Sequence, residues 1–159
     1  MRYPKRLQPG DKIVCIAPSS GVTGVFSKRL DFAVENIEKL GYLVTVSPNV
    51  KTSIKLVSSP ALERANEFMK YYLDESVSAI IPPWGGEILM EILPLLNFDL
   101  LKKATPKWIV GFSDISTLLF TLTLKIELAT VHGPNLMDFG MEPIHESVFE
   151  LFRILKSSS

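Results

Sequence analysis

Short apolar runs alternate with amphipathic stretches along this chain. The runs at 13–17, 43–46, 79–81, 108–111 and 128–131 are too short for buried helices and read as strands. Between the first two, Leu30, Ala33, Val34, Ile37 and Leu40 follow i, i+3, i+4 spacing, and Gly41 supplies a stop. A polar stretch at 47–59 reads as a long loop. Ser59-Pro60 then opens a second helix, with Ser as N-cap, Pro in the first turn and a buried stripe of Leu62, Ala65, Met69, Tyr72 and Leu73. A short helix at 87–93 and a helical turn at 98–103 lead to the fourth strand. Ile115, Leu118, Leu119, Leu122 and Ile126 mark the helix after it. Strands that alternate with helices predict an α/β fold: an open, doubly wound, mainly parallel five-stranded sheet of flavodoxin-like type, with helices on both faces and strand order 2-1-3-4-5.

Composition narrows the classes. The chain has 159 residues, 47% hydrophobic and 21% charged, which fits one folded domain. Lys plus Arg equals Asp plus Glu at 17 each, so nothing concentrates positive charge toward nucleic acid or an anionic membrane. The longest apolar stretch, 115–124, carries Ser116, Thr117, Thr121 and Thr123 and falls short of a ~20-residue membrane span. The single cysteine, Cys15, lies inside the first apolar run and reads as a buried thiol of a reducing compartment, so a cytoplasmic location is expected.

In a doubly wound sheet, ligands bind outside the carboxyl ends of the strands. Four segments lie there: 19–24, 84–87, 112–114 and 132–135. The most informative is Gly111-Phe112-Ser113-Asp114, where an apolar strand ends in glycine and a serine follows just before a helix. A sharp strand-to-helix turn lifts such a serine to the sheet edge, and the helix N-terminus offers N–H groups to an oxyanion. The second glycine of G-x-S-x-G is missing, since Ile115 stands there, and either Ser113 or Asp114 acting as an ordinary helix cap accounts for the same residues. Gly85 and Gly86, after the third strand, suit either a tight turn or a pair of oxyanion donors. Trp84, Ser19 and Ser20 flank the same edge as substrate-binding candidates. The loop 19–24 lacks the glycine spacing of a dinucleotide fingerprint and the lysine of a P-loop. His132, at a strand's carboxyl end, reads as a turn residue and His145 as the start of a solvated helix. Two isolated histidines give no metal site.

In order, Leu7-Gln8-Pro9-Gly10-Asp11, Ala17-Pro18-Ser19-Ser20, Gly85-Gly86 before a Leu-rich segment, Gly111-Phe112-Ser113-Asp114 and His132-Gly133-Pro134 resemble the LD-carboxypeptidase family of serine peptidases. That family includes murein tetrapeptide carboxypeptidases and microcin C immunity peptidases, and Trp84 before the glycine pair looks more like the immunity branch. The resemblance implies Ser113 as nucleophile, with an oxyanion hole from the backbone N–H of Asp114 and of Gly85 or Gly86. It implies no cofactor, and a peptide or aminoacyl-nucleotide substrate. Family members carry a second domain that supplies the Glu and His of a Ser-Glu-His triad, and neither His132 nor His145 matches that histidine. The expectation is therefore a nucleophile-bearing domain at 6–138, a helical tail or linker at 139–159, and an absent C-terminal catalytic domain without which the chain is inactive. A tail helix with Val148, Leu151, Phe152 and Leu155 on one face is expected either to dock on its own sheet or to join a second chain, giving a homo-oligomer. The alternative from another class is a non-catalytic flavodoxin-like module that binds a nucleotide or other small molecule. The backbone at Ser113 separates the two, since a left-handed elbow favours the hydrolase and an ordinary cap the module.

Overall fold

The computed structural model describes residues 1–157. Five parallel strands, β1 (Lys12–Cys15), β2 (Leu43–Val46), β3 (Val77–Ile80), β4 (Trp108–Gly111) and β5 (Val131–His132), form one sheet in the order β2-β1-β3-β4-β5. This is the expected order. The helices are α1 (Ser27–Lys39), α2 (Ala61–Leu73), α3 (Phe98–Lys103), α4 (Ile115–Ile126) and α5 (Glu146–Lys156).

Alternation along β1 shows why both faces are covered. Ile13, Cys15 and Ala17 enter one hydrophobic cluster with Leu30, Ile37, Phe139 and Phe152, while Val14 and Ile16 enter a second with Phe68, Tyr72, Ile109 and Leu122. Helices α1 and α5 thus lie on one face, and α2 and α4 on the other. All five apolar positions anticipated for α4 are buried. The tail docks on its own domain: Leu151, Phe152 and Leu155 are buried, Val148 packs beside them, and Phe152 stacks on Tyr42 at 4.9 Å. The expected tail segment therefore shares a core with the sheet from Phe139 onward, and its last two positions, 158 and 159, lie outside the described residues.

Several local expectations change. In α2, Ala65 and Tyr72 are buried as expected and Met69 packs against the core, but Leu62 and Leu73 face outward, and Arg64, Glu67, Phe68 and Tyr71 join the buried face. The inner face thus includes two ionisable residues, Arg64 and Glu67, that an apolar stripe does not anticipate. Pro60, not Ser59, stands at the N-cap of α2, with no side-chain cap bond. The short helix expected at 87–93 is a 3₁₀ segment, Leu89–Leu95, because Pro94 inside it removes a helical donor. The fifth strand begins at Val131, and Leu128 instead forms a bridge to Arg2.

Candidate active site

The turn between β4 and α4 is left-handed at a non-glycine residue. Ser113 has φ 61°, rare for a non-glycine residue, and its side chain is exposed. The helix that follows starts at Ile115, with Ser116 and Thr117 N–H donating to the carbonyls of Ser113 and Asp114. Neither Ser113 nor Asp114 caps the helix with its side chain. Two close approaches fix the turn. A Cβ at Gly111 would lie 2.7 Å from Ile115 Cγ2 and 2.8 Å from Asn135 Oδ1, so only glycine lets the strand end this close to the helix. Asn135, itself buried, accepts the Phe112 N–H at 3.2 Å and is held by a reciprocal capping box with Asp138.

The Asp114 carboxylate does long-range work. It accepts the Ser19 hydroxyl at 2.6 Å and the Leu89 N–H at 3.0 Å, joining the loops after β1 and β3 to the turn after β4. The Gly85-Gly86 turn packs directly on this junction. A Cβ at Gly85 would lie 2.9 Å from Asp114 N and 3.1 Å from Ser113 Cβ, and one at Gly86 would overlap the hydroxyls of Ser19 and Ser20. Glycine at 85 therefore keeps open the space against the Asp114 N–H. Among the described residues, the N–H groups of Gly85, Gly86 and Asp114 donate to no protein acceptor. An exposed hydroxyl on a left-handed turn, beside backbone N–H groups that donate to no protein acceptor among the described residues, can bind a carbonyl oxygen and attack its carbon.

The remaining candidates sort by contact. Ser19 is fully buried and its hydroxyl is engaged by Asp114, so it positions the site from inside. Ser20, half-buried, donates its N–H to the Gly85 carbonyl and lines a cleft of about 720 Å³ with Phe26, Leu56, Trp84 and Gly85. Trp84 meets Phe26 edge-to-face at 5.3 Å. His132 pairs in register with Gly111 but forms no hydrogen bond with Ser113, and it is exposed. His145 caps α5, accepting the Ser147 N–H through Nδ1.

Arg64, unnoticed in the sequence, ties the walls together. Its guanidinium is buried and donates to the carbonyls of Ser59, Pro18 and Ile88 and to the carboxylate of Glu91. Nearby, burial pushes the Glu67 carboxyl above its ordinary value, against the opposing pull of the Ser47 hydroxyl and the Ala17 backbone. Burial first, and then the charge of Glu67, hold the Cys15 thiol far above its ordinary range.

The family model described as LD-carboxypeptidase N-terminal domain matches residues 13–133. A Bacillus subtilis protein called probable murein peptide carboxypeptidase is 32% identical over 143 residues, covering 89% of this chain and 44% of its own length. The crystal structure of an MccF-like protein from Bacillus anthracis superposes with a TM-score of 0.90 at 28% identity, over 99% of this chain and 48% of that one. The microcin C7 self-immunity protein MccF in complex with aspartyl sulfamoyl adenosine superposes at 0.87 with 26% identity, over 98% of this chain and 47% of that one. The chain thus spans less than half the length of these relatives.

Proposed function

The chain belongs to the LD-carboxypeptidase family, and on that premise we propose that it is the nucleophile-bearing half of a serine peptidase in which Ser113 attacks the scissile carbonyl. The observation that carries the proposal is the pairing of a left-handed, exposed Ser113 with a glycine turn so close that a Cβ at Gly85 would meet both Ser113 and the Asp114 nitrogen. An ordinary N-cap serine, which a passive binding module needs, has an extended backbone and a side chain turned onto its own helix. Ser113 has neither feature.

The chemistry follows from the groups. As the Ser113 oxygen bonds to the carbonyl carbon, the carbonyl oxygen becomes an oxyanion held by the Asp114 N–H and by one from the Gly85-Gly86 turn. The amine leaves with a proton, an acyl-serine remains, and water then cleaves it to restore the hydroxyl and release a carboxylate. The serine proton needs a base. Neither histidine of this chain hydrogen-bonds Ser113, so we assign the base and its orienting carboxylate to the His and Glu of a second domain seated over the carboxyl edge of the sheet. Residues 6–138 are then the catalytic half-domain and the 139–159 segment leads toward its partner domain. Substrates of the complete protein are an amide near a free carboxylate in a murein-type tetrapeptide, or a peptidyl or aminoacyl nucleotide. The complex of the similar protein MccF with aspartyl sulfamoyl adenosine supports the second class. The buried, unreactive thiol supports action in the cytoplasm, and any self-association is expected through the uncovered carboxyl edge.

The test is turnover of a murein tetrapeptide and of an aminoacyl sulfamoyl adenylate, side by side, by this chain alone and by the chain joined to its second domain. Hydrolysis only in the joined form is expected, since losing one triad member costs roughly 10⁴–10⁶ in rate. Full-rate hydrolysis by the chain alone, abolished by His132→Ala, would instead make His132 the base.

A further inference from the structure

The short segment 135–138 bonds to both loops that carry the proposed oxyanion hole. Asn135 is only 2% exposed, and its Oδ1 accepts two backbone N–H groups: that of Phe112 at 3.2 Å, and that of Asp138 as the N-cap of a 3₁₀ turn, Leu136–Gly140. Both neighbours are donors, so the amide must present its oxygen to them and not its nitrogen. Phe112 directly precedes Ser113, and its bond to Asn135 therefore holds the entry to the left-handed elbow. The next two residues reach the other loop. The Leu136 N–H donates to the Pro82 carbonyl at 2.9 Å and the Met137 N–H to the Pro83 carbonyl at 3.1 Å. Those prolines lead straight into Trp84-Gly85-Gly86. The elbow follows β4 and the glycine turn follows β3, so ties of this kind, and not the chain between them, fix their separation.

The segment is itself held from behind by α1. Arg29 donates through Nε to the Met137 carbonyl at 2.8 Å and through Nη2 to Asp138 Oδ1 at 3.5 Å, while Asp138 Oδ2 accepts the Asn135 N–H at 2.9 Å. Asn36 donates to the Phe139 carbonyl at 2.9 Å. A Cβ at Gly140 would fall 2.0 Å from the Arg29 carbonyl oxygen, so the helix lies directly on the turn. Leu136, Met137 and Phe139 are buried in the core beneath it. Oxyanion donors stabilise a developing charge only when they are in place before it forms. We propose that Asn135 is the positioning residue of the oxyanion hole: its side-chain oxygen, with the two N–H groups that follow it, sets the separation between the Ser113 elbow and the Gly85-Gly86 turn. It acts through the Phe112 N–H. The effect on the reaction rests on Ser113 as nucleophile, whereas the clamp itself does not.

Asn135→Ser separates the clamp from the cap. Serine caps a helix as well as asparagine does, but its oxygen stands one bond nearer the backbone, out of reach of the Phe112 N–H. Amide hydrogen exchange, read residue by residue in ¹H–¹⁵N spectra of this chain, is expected to quicken at Phe112 by at least about tenfold in this variant. The Ala129 N–H, which donates to the Arg2 carbonyl at 2.9 Å, is expected to keep its native rate and so report an intact fold. Asn135→Asp keeps an oxygen at the original reach and is expected to hold Phe112 exchange within about threefold of native. In the two-domain protein turning over an aminoacyl sulfamoyl adenylate, Asn135→Ser is expected to lower kcat about 10- to 100-fold at unchanged KM, because a misplaced donor weakens the transition state and not the bound substrate. A capping role alone would lower the urea midpoint and leave kcat of the folded protein as it was. Native exchange at Phe112 in Asn135→Ser, fast exchange in Asn135→Asp, or native kcat despite fast exchange would each overturn the proposal. Turnover that survives Ser113→Ala would overturn the nucleophile and with it the positioning role, while the clamp would still stand on the exchange rates.

Discussion

Replacing Asp114 by alanine removes both bonds that hold three loops in register. Its carboxylate accepts the Ser19 hydroxyl at 2.6 Å and the Leu89 N–H at 3.0 Å. Hydrogen bonds to a charged acceptor contribute about 1.5–3 kcal/mol each when the partner left behind is buried. Both partners belong to buried residues, but Asp114 is half-exposed, so the lower end applies and the sum is about 3 kcal/mol. In a domain of this size that lowers Tm by roughly 6–12 °C. The bond to Ser19 is isolated by a double-mutant cycle in urea: Ser19→Ala, Asp114→Ala and the double variant. A coupling of about 1.5 kcal/mol is expected, because each single change removes the same bond. If the two costs add to within about 0.5 kcal/mol, the Ser19–Asp114 bond contributes nothing in solution and the register argument fails.

Glu67 gives a pH signature. Burial raises its folded pKa above the ordinary 4.5, so below that value both states are protonated and stability is unaffected. As pH rises through the folded pKa, the unfolded chain releases its proton first and stability falls; Glu67→Gln should therefore gain on the native protein between pH 4 and 8, and urea melts showing a constant difference would contradict this. Phe152→Ala should cost about 3–5 kcal/mol in the same assay, since α5 packs Phe152 against Tyr42 and Phe139, whereas a cost under about 1 kcal/mol would mean that the tail is not docked. The Cys15 thiol should resist a disulfide reagent in the native state at pH 8 and react fully in urea; rapid native reaction would show that strand β1 is open.

Elements with a single environment were legible in the sequence. β1 is a short run apolar on both faces and α4 has one apolar stripe, so run length located the first and periodicity the second. The pattern misled where polar groups are buried by partners far along the chain. Arg64 reaches Pro18 across 46 residues and Asp114 reaches Ser19 across 95, and hydropathy carries no record of such pairs. Asn135 was passed over for the same reason, as its side chain serves the Phe112 N–H on another strand's loop. A weak signal existed: a charged residue on a helical face shared with buried apolar ones, as Arg64 and Glu67 are in α2, must find partners or it would not be buried. The turn at Ser113 was readable because a strand, a glycine, a serine and a helix stand together within a few residues.

The central claim is that the Ser113 oxygen forms the bond to the substrate. The most direct measurement is intact-mass spectrometry of the two-domain protein, quenched during turnover of an aminoacyl sulfamoyl adenylate and followed by peptide mapping. The account predicts a mass increase equal to the aminoacyl group, mapped to the peptide containing Ser113 and absent from Ser113→Ala, whose turnover falls at least about 10⁴-fold. An adduct on another residue, or turnover that survives Ser113→Ala, would contradict it.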